Sequence, residues 1–268
     1  MSSDTAFTGS VPALYESLLV PLIFRPYAQD MARRVRALQP ARVLELAAGT
    51  GVVTRELAAQ LPESTTIVAT DLNPAMLEEA ARQPIARAVT WRQADACSLD
   101  FASESFDAVV CQFGAMFFPD RVQGYAEARR VLAPGGTLLF NTWDAIEDNE
   151  FADEVTKAMA ATFPAAPARF LARTPHGYHD RARIEADVRD AGFSRVQVDV
   201  VTARSFAACP GLPAIAYCQG TPLRGEIEAL GRDKLAQATD AAKAALVARF
   251  GSGAIEGKIQ ALVVTASN

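Results

Sequence analysis

The chain has 268 residues, of which half are hydrophobic, so it can bury a large core and is not a disordered protein. Its net charge of −5 and its lack of a long basic run argue against a nucleic-acid partner. Residues 18–24 form an apolar run too short to cross a bilayer, and residues 1–10 lack the regions of a signal peptide. We therefore expect a cytoplasmic protein with no membrane contact.

Strands and helices are predicted to alternate through the first half of the chain. A helix is expected over residues 12–38, where Pro12 suits a first helical turn. The predicted strands cover residues 42–47, 66–71, 88–93, 106–112 and 136–143. The predicted helices cover residues 52–60, 74–82 and 121–132, and residues 133–136 are predicted to form a sharp turn. This alternation predicts a parallel sheet with helices on both faces.

The second half is predicted to be mostly helical. Two late strands are expected at about residues 194–203 and 257–266, where apolar residues alternate or cluster. We predict one domain over residues 1–268, with a core of about 30–145 plus these late strands. Helical lid segments are expected at about 12–27, 146–190 and 205–255.

A glycine turn after the first strand predicts a ligand site. The strand at residues 43–46 is followed by Gly49 and Gly51 and then by a helix. This arrangement lets backbone approach a ligand and directs helix N–H groups toward it. Glu45 adds a carboxylate that would repel a pyrophosphate.

Two more carboxylates are expected at the ends of the second and third strands. Asp71 can accept both hydrogen bonds of a ribose diol, and Asp95 with Ala96 can bind the edge of an adenine. Together with Glu45, these groups suit a cationic sulfonium cofactor better than a polyanionic dinucleotide.

Five segments in register resemble class I S-adenosylmethionine-dependent methyltransferases, in particular the small-molecule type 11/25 group. They are residues 43–51, 69–76, 93–96, 105–110 and 130–136. One departure is Ala47, which stands where the family usually has glycine. The resemblance implies an α/β, Rossmann-like, doubly wound sheet of seven strands, mostly parallel with an antiparallel last strand. It also implies S-adenosyl-L-methionine as the cofactor.

The resemblance assigns residues to each part of the cofactor. Leu72 and Met76 are expected to pack on the adenine, and Gln112 and Phe113 to face the methionine end. A helix near the N-terminus is expected to close over the cofactor. The full cofactor-binding set comprises Tyr15, Phe24, Arg25, Glu45, Ala47, Gly49, Gly51, Asp71, Leu72, Met76, Asp95, Ala96, Gln112 and Phe113.

His176 and His179 are the only histidines and lie in a polar lid loop. Either is a candidate general base for the acceptor proton, or an ordinary solvated loop residue. No third ligand accompanies them and the four cysteines lie far apart, so no metal is expected. We expect an enzyme that methylates an O, N or C nucleophile of a small molecule, as a monomer or homodimer.

Two alternatives remain open. One is a nicotinamide-dependent oxidoreductase, against which Thr54 and the lack of a Tyr-x-x-x-Lys pair argue. The other is a methyltransferase-like module that binds the cofactor without catalysis, since no residue that activates an acceptor is evident.

Overall fold

The computed structural model describes Phe7 and residues 9–268, so most of the segment expected not to be a signal peptide, residues 1–10, lies outside the described residues. The described chain divides into two compact units. We call residues 25–142, 178–201 and 261–268 the core unit. The described residues up to 24, with 143–177 and 202–260, form the helical unit. The single domain expected from the sequence stays a prediction.

The strands follow the predicted order. They are β1 Arg42–Leu46, β2 Thr66–Asp71, β3 Thr90–Gln93, β4 Phe106–Gln112, β5 Leu132–Trp143, β6 Arg195–Ala207 and β7 Ile255–Ser267. The sheet order is β3-β2-β1-β4-β5-β7-β6. β1 pairs in parallel with β2 and β4, β2 with β3, and β4 with β5. The predicted seven-stranded sheet, mostly parallel with an antiparallel last strand, is confirmed.

The helices of the core unit precede or follow these strands along the chain. They are α2 Arg25–Leu38, α3 Val52–Gln60, α4 Pro74–Arg82, α5 Arg121–Val131 and α8 Arg181–Asp190. Asn73 begins α4 by accepting a hydrogen bond from the Ala75 N–H at 3.0 Å, and Asp120 begins α5 in the same way. These caps explain why both helices begin where the sequence predicts.

The predicted turn at residues 133–136 is wrong. Those residues belong to β5, which already pairs with β4 at Leu132, opposite Phe106. The next pair joins Thr137 to Ala108, so the intervening residues form an irregularity in the strand. A β-carbon on Gly136 would lie 3.0 Å from the Asp107 carbonyl oxygen, which explains the need for glycine there. The proline and glycines therefore bend a paired strand.

The helical unit contains further α-helices. They are α1 Val11–Leu14, α6 Glu150–Thr162, α7 Phe170–Arg173, α9 Gly211–Gln219, α10 Leu223–Ala229 and α11 Lys234–Phe250. Arg249 joins α11 to α6 through Glu150 at 2.6 Å and Glu154 at 2.8 Å.

One long helix was expected over residues 12–38, and its middle differs from the expectation. Tyr15–Phe24 is a π-helix between α1 and α2, and it contains Pro21. Proline has no N–H and clashes with the preceding turn of an α-helix, which favours a wider turn. Among the described residues, no helix combines the length and apolar character needed to cross a membrane.

Candidate functional site

The turn that follows β1 has an unusual backbone. Ala47, Gly49 and Gly51 all lie in the left-handed region, with φ values of 52°, 58° and 84°. A β-carbon on Gly51 would lie 2.7 Å from Cη2 of Trp91, so this glycine lets α3 begin close to that ring. Gly51 thus has a packing role in addition to the ligand contact that the resemblance implies.

Glu45 is a buried carboxyl group at the end of β1. Glu45 is only 2% exposed, and the hydroxyl group of Thr54 donates a hydrogen bond to its Oε2 at 2.6 Å. Burial is the main cause that raises the pKa of Glu45, hydrogen bonds from Thr54 and the charge of Arg55 lower it, and nearby Asp71 raises it, so that the pKa is about 8. Glu45 is therefore mostly protonated at neutral pH unless a cation lies beside it. The sequence pattern identifies Thr54 only as a departure from a dinucleotide site, and it does not predict the hydrogen bond from Thr54 to Glu45.

Asp71 joins the glycine turn to the end of β2. Oδ2 accepts a hydrogen bond from the Gly49 N–H and Oδ1 accepts one from the Asn73 N–H, both at 2.8 Å. Burial raises the pKa of this carboxyl group, and the two N–H donors lower it. Each carboxylate oxygen can accept a second hydrogen bond, so the group can hold the turn and still accept ribose hydroxyls.

The residues predicted to contact adenine differ in exposure. Leu72 is 42% exposed, one of the few large apolar side chains on the surface, whereas Met76 is buried in α4. Asp95 is exposed and accepts the Cys97 N–H at 2.8 Å, so it stabilises its own turn next to the half-buried Ala96. An exposed leucine beside Asp71 suits a surface that packs on a flat ring.

The turn that follows β4 contacts the glycine turn. Gln112 ends β4 half-buried, and Phe113 is buried with a φ of 50°. A β-carbon on Gly114 would lie 2.5 Å from Cβ of Ala47, so the two turns touch at this point. The Phe113 N–H donates to Oδ1 of Asn141 at 2.8 Å. Asn141 was not predicted as a site residue.

In the helical unit, four rings form a row. Tyr15 stacks on Phe24 with centroids 4.8 Å apart, Phe24 lies 5.9 Å from Trp143, and Trp143 lies 5.8 Å from His176. His176 is buried, and its Nδ1 lies 2.9 Å from the carbonyl oxygen of Asp144. Since a carbonyl oxygen only accepts, Nδ1 carries a proton, and the lone pair of the neutral ring is on Nε2.

The other predicted residues, His179 and Arg25, belong to the core unit. His179 is exposed and belongs to the core unit, so the two histidines fall in different units. Arg25 begins α2 of the core unit and is exposed.

The donor groups of the core unit fit S-adenosylmethionine. The buried Glu45 suits a cationic group, Asp71 suits a diol, and Leu72 suits the face of an adenine. No phosphate-binding set of basic residues was found in this turn among the described residues.

Residues 43–136 match the family described as a methyltransferase domain. A demethylmenaquinone methyltransferase from Deinococcus radiodurans is 39% identical over 117 residues, which make up 43% of this chain and 48% of the relative. A second one, from Mycobacterium sp. strain KMS, is 34% identical over 166 residues, or 58% of this chain and 69% of the relative. The chain thus spans about half the length of the first relative and two thirds of the second.

The fold is shared with a solved methyltransferase structure. Phosphoethanolamine N-methyltransferase 2 of Haemonchus contortus, in complex with S-adenosyl-L-methionine, has a TM-score of 0.59 and 16% identity. The similarity covers 100% of this chain and 60% of that one. The chain belongs to the class I S-adenosylmethionine-dependent methyltransferases.

Proposed function

We propose that this chain transfers the methyl group of S-adenosylmethionine to a small molecule. The observation that carries the proposal is the buried Glu45, which is held by Thr54 beside a left-handed glycine turn. Burying a carboxyl group is unfavourable for folding unless the group has a partner. A bound cation would be such a partner, because it stabilises the charged form of Glu45. When bound, the cofactor supplies an electrophilic methyl group on a positively charged sulfur.

The residues of the core unit would bind and orient the cofactor. Glu45 would lose its proton and attract a cationic group, and Asp71 would accept the ribose hydroxyls while it holds Gly49 in place. The exposed Leu72 would cover one face of the adenine. Catalysis would come mainly from holding the acceptor in line with the methyl group and excluding water.

For the acceptor, we propose a planar ring with an acidic proton, such as a reduced quinone. Two of the relatives are demethylmenaquinone methyltransferases. The helical unit contains a row of rings, Tyr15, Phe24, Trp143 and His176, of the kind that packs on such a ring. We propose His176 as the proton acceptor, through Nε2, because its Nδ1 proton is held by Asp144. His179, exposed in the other unit, is the weaker candidate.

The cofactor part of the proposal is tested by calorimetry with S-adenosylhomocysteine. Wild-type protein is expected to bind this product, and Asp71→Asn to bind it more weakly by about 1–3 kcal/mol. Asp190→Asn, at the exposed end of α8, is the matched control and should bind like wild type. If the protein binds NAD(H) and not S-adenosylhomocysteine, the proposed function is wrong.

The acceptor part is tested by methyl transfer. Protein is incubated with S-adenosylmethionine that carries a labelled methyl group and with reduced demethylmenaquinone, and the product is analysed by mass spectrometry. Label in the quinone is expected, and His176→Ala should lower the rate more than His179→Ala does. If the cofactor binds but the quinone gains no label, the proposed acceptor is wrong. If no compound of a metabolite extract gains label in the same assay, the chain is a module that binds the cofactor without catalysis.

A further inference from the structure

The turn after β4 contains a phenylalanine in the left-handed backbone conformation, which phenylalanine rarely adopts. Phe113 has a φ of 50° and is 6% exposed, although bulky side chains strongly disfavour the left-handed region. Ala47, in the turn after β1, has a φ of 52°. Such conformations persist only where surrounding contacts impose them, and they concentrate at functional sites.

The two strained turns contact each other through Gly114. A β-carbon on Gly114 would lie 2.5 Å from Cβ of Ala47 and 2.8 Å from Sγ of Cys111. The methyl group of Ala47 therefore lies directly against the backbone of Gly114. A change in the Phe113 backbone would move Gly114 and alter this contact.

Asn141 on β5 binds the strained residue. The Phe113 N–H donates to Oδ1 of Asn141 at 2.8 Å and also to its carbonyl oxygen at 3.2 Å. Asn141 is 1% exposed and pairs with Gln112 in the β4–β5 register. On the other side, the ring of Tyr27 meets the ring of Phe113 edge to face, with centroids 5.3 Å apart. The side-chain oxygen of Asn141 is thus a direct restraint on the Phe113 backbone.

These turns lie at the point where the strand order reverses. β1 is flanked by β2 on one side and β4 on the other, and ligands of such sheets bind beyond the carboxyl ends at this point. Along this edge the order is Asp95 after β3, Asp71 at the end of β2, Ala47 after β1 and Phe113 after β4. An extended ligand whose ribose lies at Asp71 and whose adenine lies at Asp95 therefore places its other end between β1 and β4.

We propose that Asn141 is a positioning residue for the methionine end of the cofactor. Its Oδ1 holds Phe113 in the left-handed conformation, which sets Gly114 against Ala47 and so shapes the space between β1 and β4. Asn141 acts through Phe113 and does not itself touch the cofactor. The inference rests on the proposed function, since it assumes that the ligand is S-adenosylmethionine.

The test compares two probes by calorimetry. S-adenosylhomocysteine has the amino-acid end, and 5′-methylthioadenosine lacks it. Asn141→Leu keeps the side-chain size and removes the hydrogen-bond acceptor. It should lower the affinity for S-adenosylhomocysteine by about tenfold and change the affinity for 5′-methylthioadenosine by no more than about twofold. Asn141→Asp, which keeps an acceptor oxygen, should retain the ratio of the two affinities. If Asn141→Leu does not fold, as judged by circular dichroism, Asn141→Ala replaces it.

A second background separates this role from ordinary packing. Asn141→Leu is repeated in Phe113→Ala and in Phe113→Gly, which both lack the ring. Alanine still disfavours a positive φ, whereas glycine adopts it without strain. The loss of S-adenosylhomocysteine affinity should therefore persist with alanine and disappear with glycine. Equal losses in both backgrounds, or equal weakening of both probes, would overturn the inference. If wild type binds neither probe, the proposed function itself fails.

Discussion

Replacing Glu45 by glutamine is expected to remove a strong pH dependence from the stability of the free protein. The pKa of Glu45 is about 8 in the folded chain, compared with an ordinary value of 4.5 that we take for the unfolded chain. Between these two values the folded state keeps a proton that the unfolded state releases. Stability therefore falls as pH rises, by about 1.4 kcal/mol for each pH unit. The contribution of the protonated Glu45 to stability is fully present below pH 4.5 and is lost as pH rises through about 8.

The total change in the free energy of unfolding with pH is large because the carboxyl group of Glu45 is almost completely buried. Over the whole range it amounts to about 5 kcal/mol, which is comparable to the total stability of many domains. Glutamine has nearly the same shape, does not titrate, and can still accept the hydrogen bond from Thr54. Glu45→Gln should match wild type at pH 5 and be several kcal/mol more stable at pH 8.

Urea unfolding between pH 5 and pH 8 measures this difference. Glu63→Gln serves as the control because Glu63 is exposed, and its curve should follow that of wild type. If wild type and Glu45→Gln change in parallel with pH, then Glu45 is ionised in the folded chain and our reasoning about its burial is wrong.

Three further predictions follow from the same site. Binding of S-adenosylmethionine at pH 7 should release a proton from Glu45, seen as a dependence of the calorimetric heat on buffer ionisation enthalpy; a heat independent of buffer would contradict this. Ala47→Gly should stabilise the fold by about 1 kcal/mol, because glycine adopts a φ of 52° without strain, and a lower melting temperature would refute it. Gly51→Ala should destabilise by about 1–3 kcal/mol, since φ is 84° and Trp91 leaves no room, and an unchanged urea midpoint would refute it.

The limits of several strands and helices could be predicted because residues at or next to their ends determine them. β2, β4, α3 and α4 have the predicted limits, since glycine, proline and capping residues mark their ends in the sequence. At residues 133–136 the predicted turn was wrong, because β5 pairs with β4 on both sides of this segment, at Leu132 and again at Thr137, and the segment is an irregularity within the strand. The π-helix over Tyr15–Phe24 was also missed, since its apolar pattern is compatible with an α-helix.

The carboxylates of the candidate site could be proposed from the sequence, but their partners could not. Glu45 and Thr54 are nine residues apart, and Phe113 and Asn141 are 28 apart, so each pair depends on how elements pack. Short motifs predict which residues lie at the end of a strand. They do not predict which side chains from other elements form hydrogen bonds with those residues. The aromatic row of the helical unit has no motif at all, because its rings come from three separate segments.

The two hydrogen bonds of Asp71 affect how binding energies at this site should be interpreted. The carboxylate holds Gly49 and Asn73 before any ligand arrives, so the turn is already ordered and binding need not restrict it further. Any substitution of Asp71 therefore adds the cost of a loosened turn to the loss of a ribose contact. The affinity lost by an Asp71 variant is an upper limit on what the ribose hydroxyls contribute, and removing one hydroxyl from the ligand measures that contribution directly.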